Sequence, residues 1–576
     1  MKRITICCTA IFAFAMLFAG EKVYLWPAGK MPDAQPHQIA AMTDEAGKPG
    51  FKADEHRAPY LEWFDPPAEE KRTGACMILI SGGAYECLCD VGHIKNWTKM
   101  LTEAGIQCVN LVYRSPRPKG LPIYQTAWED GQRAVRLVRN EAKKRGIDPE
   151  RIGVMGQSAG SHLATLLATS SQTPAYAKVD ELDEIPCHIN WACTHSLAYG
   201  LTDGYGIPNS RMGDQPDVKL DSAFKFDAKT CPMWLSHGGV DVYSPLASTQ
   251  VYRQLRRMKI PAEVHLYPDK WHGVWGTERA LEFMRQMGFL GKPAAEVRVM
   301  TRYTAADKAA THSGKIPVWP EGKMPNASAK QCKPYIEWHI PKTLKTKAIQ
   351  IAYSGGSYMG NDPNSFEVAP VRRYLNEKGM TVVTLKYRTP RPVGLAKHTT
   401  AWQDLQRAIR LVRAGAAERG LDPNRIGITG CSAGGHLTLM GATTSKTHAY
   451  NPIDDIDKQP LAVQWAIAIY PAYALTDGAE ECNTNGGNGD EDRLVPEFAF
   501  DLDTPPILFI HGDADVWATM NSVKTWEQLR RMGIQGELHT LALRNHCFMD
   551  KATPGTGSYT YLDRYWEFLT EKGFNK

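Results

Sequence analysis

Two serines stand in the same short frame. Gly156-Gln157-Ser158-Ala159-Gly160 follows the apolar run RIGVM, and Gly430-Cys431-Ser432-Ala433-Gly434 follows RIGIT. A serine hydroxyl is a weak nucleophile until a base removes its proton. Glycines on either side suit a sharp strand-to-helix turn that lifts the hydroxyl clear of the sheet, with the next backbone N–H beside it. One such pentapeptide arises by chance in many long chains. Two, each between an apolar run and a helix-like run, are a far stronger signal.

The base must recur in both places and follow the serine in chain order. His272 and His546 do so, each 114 residues after its serine. Asp241 and Asp515 are the matching acids, each 31 residues before its histidine, placed to orient the imidazole and stabilise its charged form. Asp203 and Asp477 also recur, as a rival pair of acids or as helix caps and substrate contacts. Asp513 has Gly239 as its counterpart, which argues against a shared role. His162 with His436, and His237 with His511, recur too and are expected to be structural.

An acyl-transfer intermediate needs donors aimed at its developing oxyanion. Ser81-Gly82-Gly83-Ala84-Tyr85 and Ser354-Gly355-Gly356-Ser357-Tyr358 each follow a short apolar run. The candidate donors are the N–H groups of Gly83, Ala84 and Ala159, and of Gly356, Ser357 and Ala433. No Cys-x-x-Cys or His-x-x-x-His spacing marks a metal site, so cofactor-free, metal-independent chemistry is expected.

These residues need a scaffold that occurs twice. Ser432, Asp515 and His546 each lie 274 residues beyond Ser158, Asp241 and His272. WPAGKMP returns as WPEGKMP, LVYRSPRPKGL as LKYRTPRPVGL, and AWEDGQRAVRLVR as AWQDLQRAIRLVR. The expected division is 21–294 for one domain, 295–313 for a linker and 314–576 for a second domain, with a polar surface loop around 37–56 in the first. A length of 576 residues is ample for two cores. CMILI, QCVNLVY, RIGVM, PMWLSH and AEVHLY read as buried strands, alternating with amphipathic stretches such as 130–144. That alternation predicts an α/β fold, a mostly parallel sheet covered by helices on both faces.

A formal charge of +5, spread without a basic run, gives no reason to invoke nucleic acid. Lys2 and Arg3, the apolar stretch from Ile4 to Phe18 and small Ala19-Gly20 form the pattern of a cleaved secretory signal, residues 1–20. A secreted or periplasmic protein, with no stable membrane association after cleavage, is the expectation. Eleven cysteines beyond that segment are odd in number and mostly not repeated between the copies, so no disulfide framework follows.

Each copy resembles the α/β-hydrolase carbohydrate esterases of the acetylxylan and feruloyl esterase type. The resemblance rests on WPxGKMP, SGG-[AS]-Y, YR-[ST]-PRP, the WxD-x-QRA-x-RLVR stretch, DPxRIGxxGxSAG-x-HL, HGxxD and a late histidine. It implies a secreted serine esterase acting on acyl groups, acetyl among them, carried by plant cell-wall carbohydrate such as xylan. Three positions depart from the family pattern: Ala84 and Ser357 replace a third glycine, Cys547 follows His546 where glycine is usual, and Ser161 replaces a glycine. They bear on substrate choice and on the relative activity of the two sites. Tyr85, Tyr358, Trp271, Trp128 and Trp402 could stack on sugar rings. The open alternatives are a feruloyl esterase, peptidase or lipase, or one active domain joined to a carbohydrate-binding pseudo-hydrolase. No lipase-like lid and no propeller-length region is present in the sequence.

Overall fold

Six runs in each copy become strands buried on both faces, which favours continuous rather than alternating hydrophobicity, while the outer strand of each copy alternates. The computed structural model describes residues 20–38, 59–89, 91–202, 218–301, 308, 310–476 and 493–576. The predicted signal, most of the 37–56 loop, and Asp203 and Asp477 lie outside them.

The first copy contains β1 (Glu21–Tyr24), β2 (Tyr60–Phe64), β3 (Cys76–Ile80), β4 (Gln107–Val112), β5 (Ile152–Gln157), β6 (Trp191–His195), β7 (Met233–Gly238) and β8 (Ala262–Tyr267). Its helices are α1 (Val91–Glu103), α2 (Gln125–Arg145), α3 (Ala159–Thr169), α4 (Leu246–Arg257) and α5 (Thr277–Gln286). The second copy repeats the plan with β9 (Tyr335–Pro341), β10 (Ile349–Tyr353), β11 (Thr381–Lys386), β12 (Ile426–Cys431), β13 (Trp465–Ile469), β14 (Ile507–Gly512) and β15 (Gly536–Leu541). Its helices are α6 (Ala369–Glu377), α7 (Thr399–Ala416), α8 (Ala433–Thr443), α9 (Met520–Arg531) and α10 (Tyr561–Glu571). None of the described helices is long and apolar enough to cross a membrane.

Within each copy the order is β2-β4-β3-β5-β6-β7-β8 or its equivalent, parallel except at the outer strand. This is the expected α/β architecture. The copies are joined where β8 pairs antiparallel with β15, with Leu266 opposite Leu538 and His265 opposite His539. Asp513 belongs to this junction. It accepts hydrogen bonds from Tyr252 Oη at 2.7 Å and from the Ala262 N–H at 3.2 Å, which accounts for its lack of a counterpart. Within 295–313, Val297–Arg298 pairs with Lys551–Ala552, and Ala310–His312 with β9, so parts of this stretch run along the second copy.

Several recurring motifs are one buried assembly. Asp404, on α7, accepts hydrogen bonds from Trp319 Nε1 (2.6 Å), Arg388 N (2.7 Å) and Arg388 Nε (2.9 Å). Asp130 holds Trp26 and Arg114 in the same way. A buried guanidinium is tolerable only with such pairing. The assembly ties the chain start, the YR-[ST]-PRP segment and the long helix together behind the site.

Candidate active site

The serines sit where the sequence placed them, between β5 and α3 and between β12 and α8. Ser158 has φ 57° and ψ −122°, and Ser432 has φ 55° and ψ −121°, a backbone state that costs energy for any L-residue. The flanking glycines make the turn possible. A Cβ on Gly156 would lie 2.2 Å from the Gly160 carbonyl oxygen, and one on Gly430 would lie 2.4 Å from that of Gly434.

In the second copy serine, histidine and aspartate form one hydrogen-bonded chain. Ser432 Oγ lies 2.8 Å from His546 Nε2, and His546 Nδ1 lies 2.8 Å from Asp515 Oδ2. In the first copy His272 Nδ1 meets Asp241 at 2.9 Å, but His272 Nε2 faces the Gln157 side-chain amide at 3.5 Å. Ser158 Oγ makes no hydrogen bond among the described residues. The difference follows from the elbow residue, because Gln157 is long enough to reach over the serine whereas Cys431 is not.

Each acid is held by a second histidine that sequence reasoning assigned only a structural role. His237 Nε2 is 3.3 Å from Asp241 Oδ2, and His511 Nε2 is 3.2 Å from Asp515 Oδ2. The backbone N–H groups of Tyr243 and Trp517 donate to the other oxygens at 2.8 Å. Burial alone would raise both carboxyls, yet hydrogen bonds from the paired histidines hold each below the ordinary carboxylate range. Burial lowers His237, against the pull of Asp241, toward its neutral form. The signal available in the sequence was the recurrence of His-Gly-x-x-Asp, four residues from histidine to acid.

The glycine-rich loops are strained rather than plain turns. Gly83 (φ 124°), Ala84 (φ 56°) and Tyr85 (φ 62°) all lie at positive φ, as do Gly356 (104°), Ser357 (54°) and Tyr358 (58°). Arg117 Nε bonds the Ala84 carbonyl, and Arg391 Nε the Ser357 carbonyl, each at 2.9 Å. Tyr113 Oη donates to Ser81 O and Tyr387 Oη to Ser354 O, both at 3.0 Å. So the tyrosine of YR and the second arginine of the segment hold the loop in shape. Among the described residues the N–H groups of Gly83, Ala84, Ala159, Gly356, Ser357 and Ala433 donate to no protein acceptor. Backbone donors beside a serine that carry no partner are those a developing oxyanion can use.

Around Ser432 a cleft of about 510 Å³ is lined by the Ser354–Ser357 loop, Glu367, Trp517, His546 and Cys547. Glu367 is buried, which pushes its carboxyl up, and it accepts from the Gly355 N–H at 2.6 Å and from Tyr470 Oη at 3.1 Å. Neither Glu367 nor Trp517 was singled out from sequence, because His93 and Tyr243 stand in their places in the first copy. Of the aromatic candidates, Tyr85, Tyr358 and Trp128 are buried and Trp402 is half-buried, while Trp271, next to His272, is 63% exposed.

Comparison with known proteins gives the geometry a family. The BD-FAE model matches residues 61–217 and 337–529, one region in each copy. The chain is 25% identical over 216 residues to an acetylxylan esterase of Xylanibacter ruminicola, covering 35% of this chain and 42% of that protein. It is 26% identical over 210 residues to endo-1,4-beta-xylanase B of Butyrivibrio fibrisolvens, covering 34% and 32%. With a probable carboxylic ester hydrolase of Mycobacterium tuberculosis it shares 30% over 235 residues, covering 37% and 52%. The chain thus spans between a third and about half of the length of these relatives. A solved acetyl ester-xyloside bifunctional hydrolase of Caldicellulosiruptor lactoaceticus aligns at 24% identity and a TM-score of 0.38, over 46% of this chain and 97% of that one. Since the two matched regions together take in more than half of its residues, the chain belongs to the BD-FAE family.

Proposed function

We propose that the chain is a serine carboxylic ester hydrolase that removes acyl groups, acetyl foremost, from plant cell-wall carbohydrate, with one reaction centre in each copy. The observation that carries this reading is the continuous chain Ser432–His546–Asp515 beside unengaged backbone donors in an open cleft. The relatives named as acetylxylan esterase and xylanase support the choice of substrate class.

In this mechanism His546 takes the Ser432 proton as the oxygen attacks the ester carbonyl. Asp515 fixes the imidazole tautomer and balances the imidazolium charge. The N–H groups of Gly356, Ser357 and Ala433 receive the oxyanion. The imidazolium then protonates the departing sugar oxygen, and a water activated by the same histidine releases the acid. Ser158, His272 and Asp241 follow the same course once His272 turns from Gln157 to the serine. Export through residues 1–20 would bring the enzyme to a polymer too large to enter a cell, and a mature N-terminus near Glu21 by mass spectrometry tests this.

Acetate release from acetylated xylan by wild type, Ser158→Ala, Ser432→Ala and the double variant tests the assignment. The double variant is expected to be inactive, and each single variant to retain the activity of the other copy. Full activity in the double variant overturns the triads; a dead single variant overturns the two-centre reading.

A further inference from the structure

Beneath the loop of the second copy lies a cluster that the esterase mechanism does not use. His436 on α8, His398 just before α7, and Glu497 bring three side-chain ligand atoms within 4.8 Å of one another. His436 is fully buried and His398 is 9% exposed. Glu497 Oε1 stands 3.4 Å from His436 Nε2 and 3.6 Å from His398 Nδ1. Neither ring nitrogen has a hydrogen-bond partner among the described residues, although both are buried.

The first copy shows what a satisfied version looks like. There His162 Nε2 meets Asp221 at 3.1 Å and Nδ1 meets Tyr85 Oη at 2.8 Å, so both nitrogens are bonded. Tyr124 stands where the second copy has His398. The second copy has therefore gained an imidazole and moved its carboxylate to Glu497, which stands in ion-pair range of two buried ring nitrogens without closing a well-formed hydrogen bond to either. Buried ring nitrogens that close no hydrogen bond are rare, and a carboxylate facing both leaves room for an occupant between the three groups.

The spacing suits a small cation. A hydrogen bond between these atoms would measure roughly 2.9 Å. Ligands about 2.1 Å from a tetrahedral zinc ion lie about 3.4 Å apart, close to the two separations from Glu497. We propose that His398, His436 and Glu497 bind a divalent transition-metal ion of the zinc class, with the fourth position taken by water or the second carboxylate oxygen. Two neutral imidazoles and a carboxylate suit such an ion. The ligand set also has a supporting bond, because His436 Nδ1 lies 2.8 Å from Tyr358 Oη. Bonds of this kind fix the ring and tautomer of metal-bound histidines. Here the bond links the site to the strained loop that carries Gly356 and Ser357, so the ion acts as a brace and not as a reactant. The positive charge of Lys397 acts on both His398 and His436, and its ammonium lies 4.4 Å from the centroid of the Tyr473 ring.

The test is zinc stoichiometry of the full, untagged chain after loading with Zn²⁺ alone and dialysis, read by elemental mass spectrometry beside thermal unfolding. About one zinc per chain is expected in wild type. His398→Tyr copies the first repeat and should fold, and with Glu497→Gln it should lose at least tenfold of the bound zinc and any zinc-dependent rise in Tm. His312→Ala serves as the control, because His312, Glu337 and His339 form a second possible metal cluster. Less than a tenth of an equivalent in wild type overturns the proposal, as does retention of zinc by the variant carrying both His398→Tyr and Glu497→Gln, or its loss in His312→Ala alone.

Discussion

Replacing Gly355 by alanine puts the proposed oxyanion loop to a quantitative test. A Cβ at Gly355 would lie 2.6 Å from both the Cys431 carbonyl oxygen and Ser432 Cβ, where ordinary contact begins at 3.4 Å. Neither obstacle is a flexible side-chain end, so the loop must retreat by about 0.8 Å. The N–H donors of Gly356 and Ser357 travel with it, away from the carbon under attack. Misplacement of about 1 Å costs on the order of 10²-fold in rate, and loss of one oxyanion donor costs about 10²–10³-fold in kcat. Gly355→Ala, made in a Ser158→Ala background so that only the second centre is read, should therefore lower kcat for p-nitrophenyl acetate by about 10²–10³. KM should change little, since the donors act on the transition state. Gly360→Ala is the control in the same loop, because its Cβ would meet nothing within 4 Å. If Gly355→Ala keeps more than a third of kcat, or Gly360→Ala falls as far, the loop is not the oxyanion site.

Two further outcomes follow from polar groups around the site and the junction. Arg391→Ala removes the 2.9 Å bonds to Ser357 O and Tyr473 Oη, and at 1.5–3 kcal/mol for a charged hydrogen bond, reduced by its partial exposure, kcat of the second centre should fall about tenfold in steady-state assays. At the junction, burial pushes Glu263 and Glu537 up to about 8. A carboxyl raised on folding contributes stability that is complete below its unfolded value near 4.3 and lost as pH rises toward 8. Glu263→Gln with Glu537→Gln should flatten this decline between pH 5 and 8 in thermal unfolding curves, and an unchanged slope would refute the assignment.

The parts of this molecule set by local pattern were legible from sequence, and those set by a neighbour were not. RIGVM followed by G-x-S-x-G locates the elbow because strand, strained turn and helix are contiguous in the chain. The equal spacing of the two sets predicted that His272 and His546 would meet Asp241 and Asp515. It could not show that Gln157 covers His272 Nε2, since that depends on one side chain's reach across a turn. His237 and His511 read as structural because they sit at strand ends. Only the curl of the following loop brings their Nε2 atoms to the acids. The partners of His436 were hidden for another reason. The carboxylate moved from the position of Asp221 to Glu497, so aligning the copies pairs the wrong residues.

How the copies are joined was beyond the sequence altogether, and it bears on the two proposed centres. Strands β7 and β8 are parallel, as are β14 and β15, but β8 meets β15 antiparallel. The carboxyl ends of the two half-sheets therefore point in opposite directions. Ser158 and Ser432 follow the carboxyl ends of β5 and β12, so the two serines lie at opposite ends of the strands of one continuous sheet. Among the described residues the two serines thus face opposite ways, and direct passage of an acyl group from one to the other is not expected. The contact between copies is itself close to symmetric, with His265 and His539 2.8 Å apart through their Nδ1 atoms and each bonded to its own glutamate through Nε2. When both rings are neutral, one Nδ1 must donate and the other accept. The accepting ring then carries its proton on Nε2 and can donate to its glutamate, whereas the donating ring needs a protonated glutamate. One acid held protonated is thus a requirement of the joint, consistent with the raised carboxyls there. On the two-centre proposal, with the serines facing opposite ways, the two rates should add. The acetate release lost in Ser158→Ala and that lost in Ser432→Ala should sum to the wild-type rate. A sum well above it would require the two centres to communicate through the β8–β15 joint.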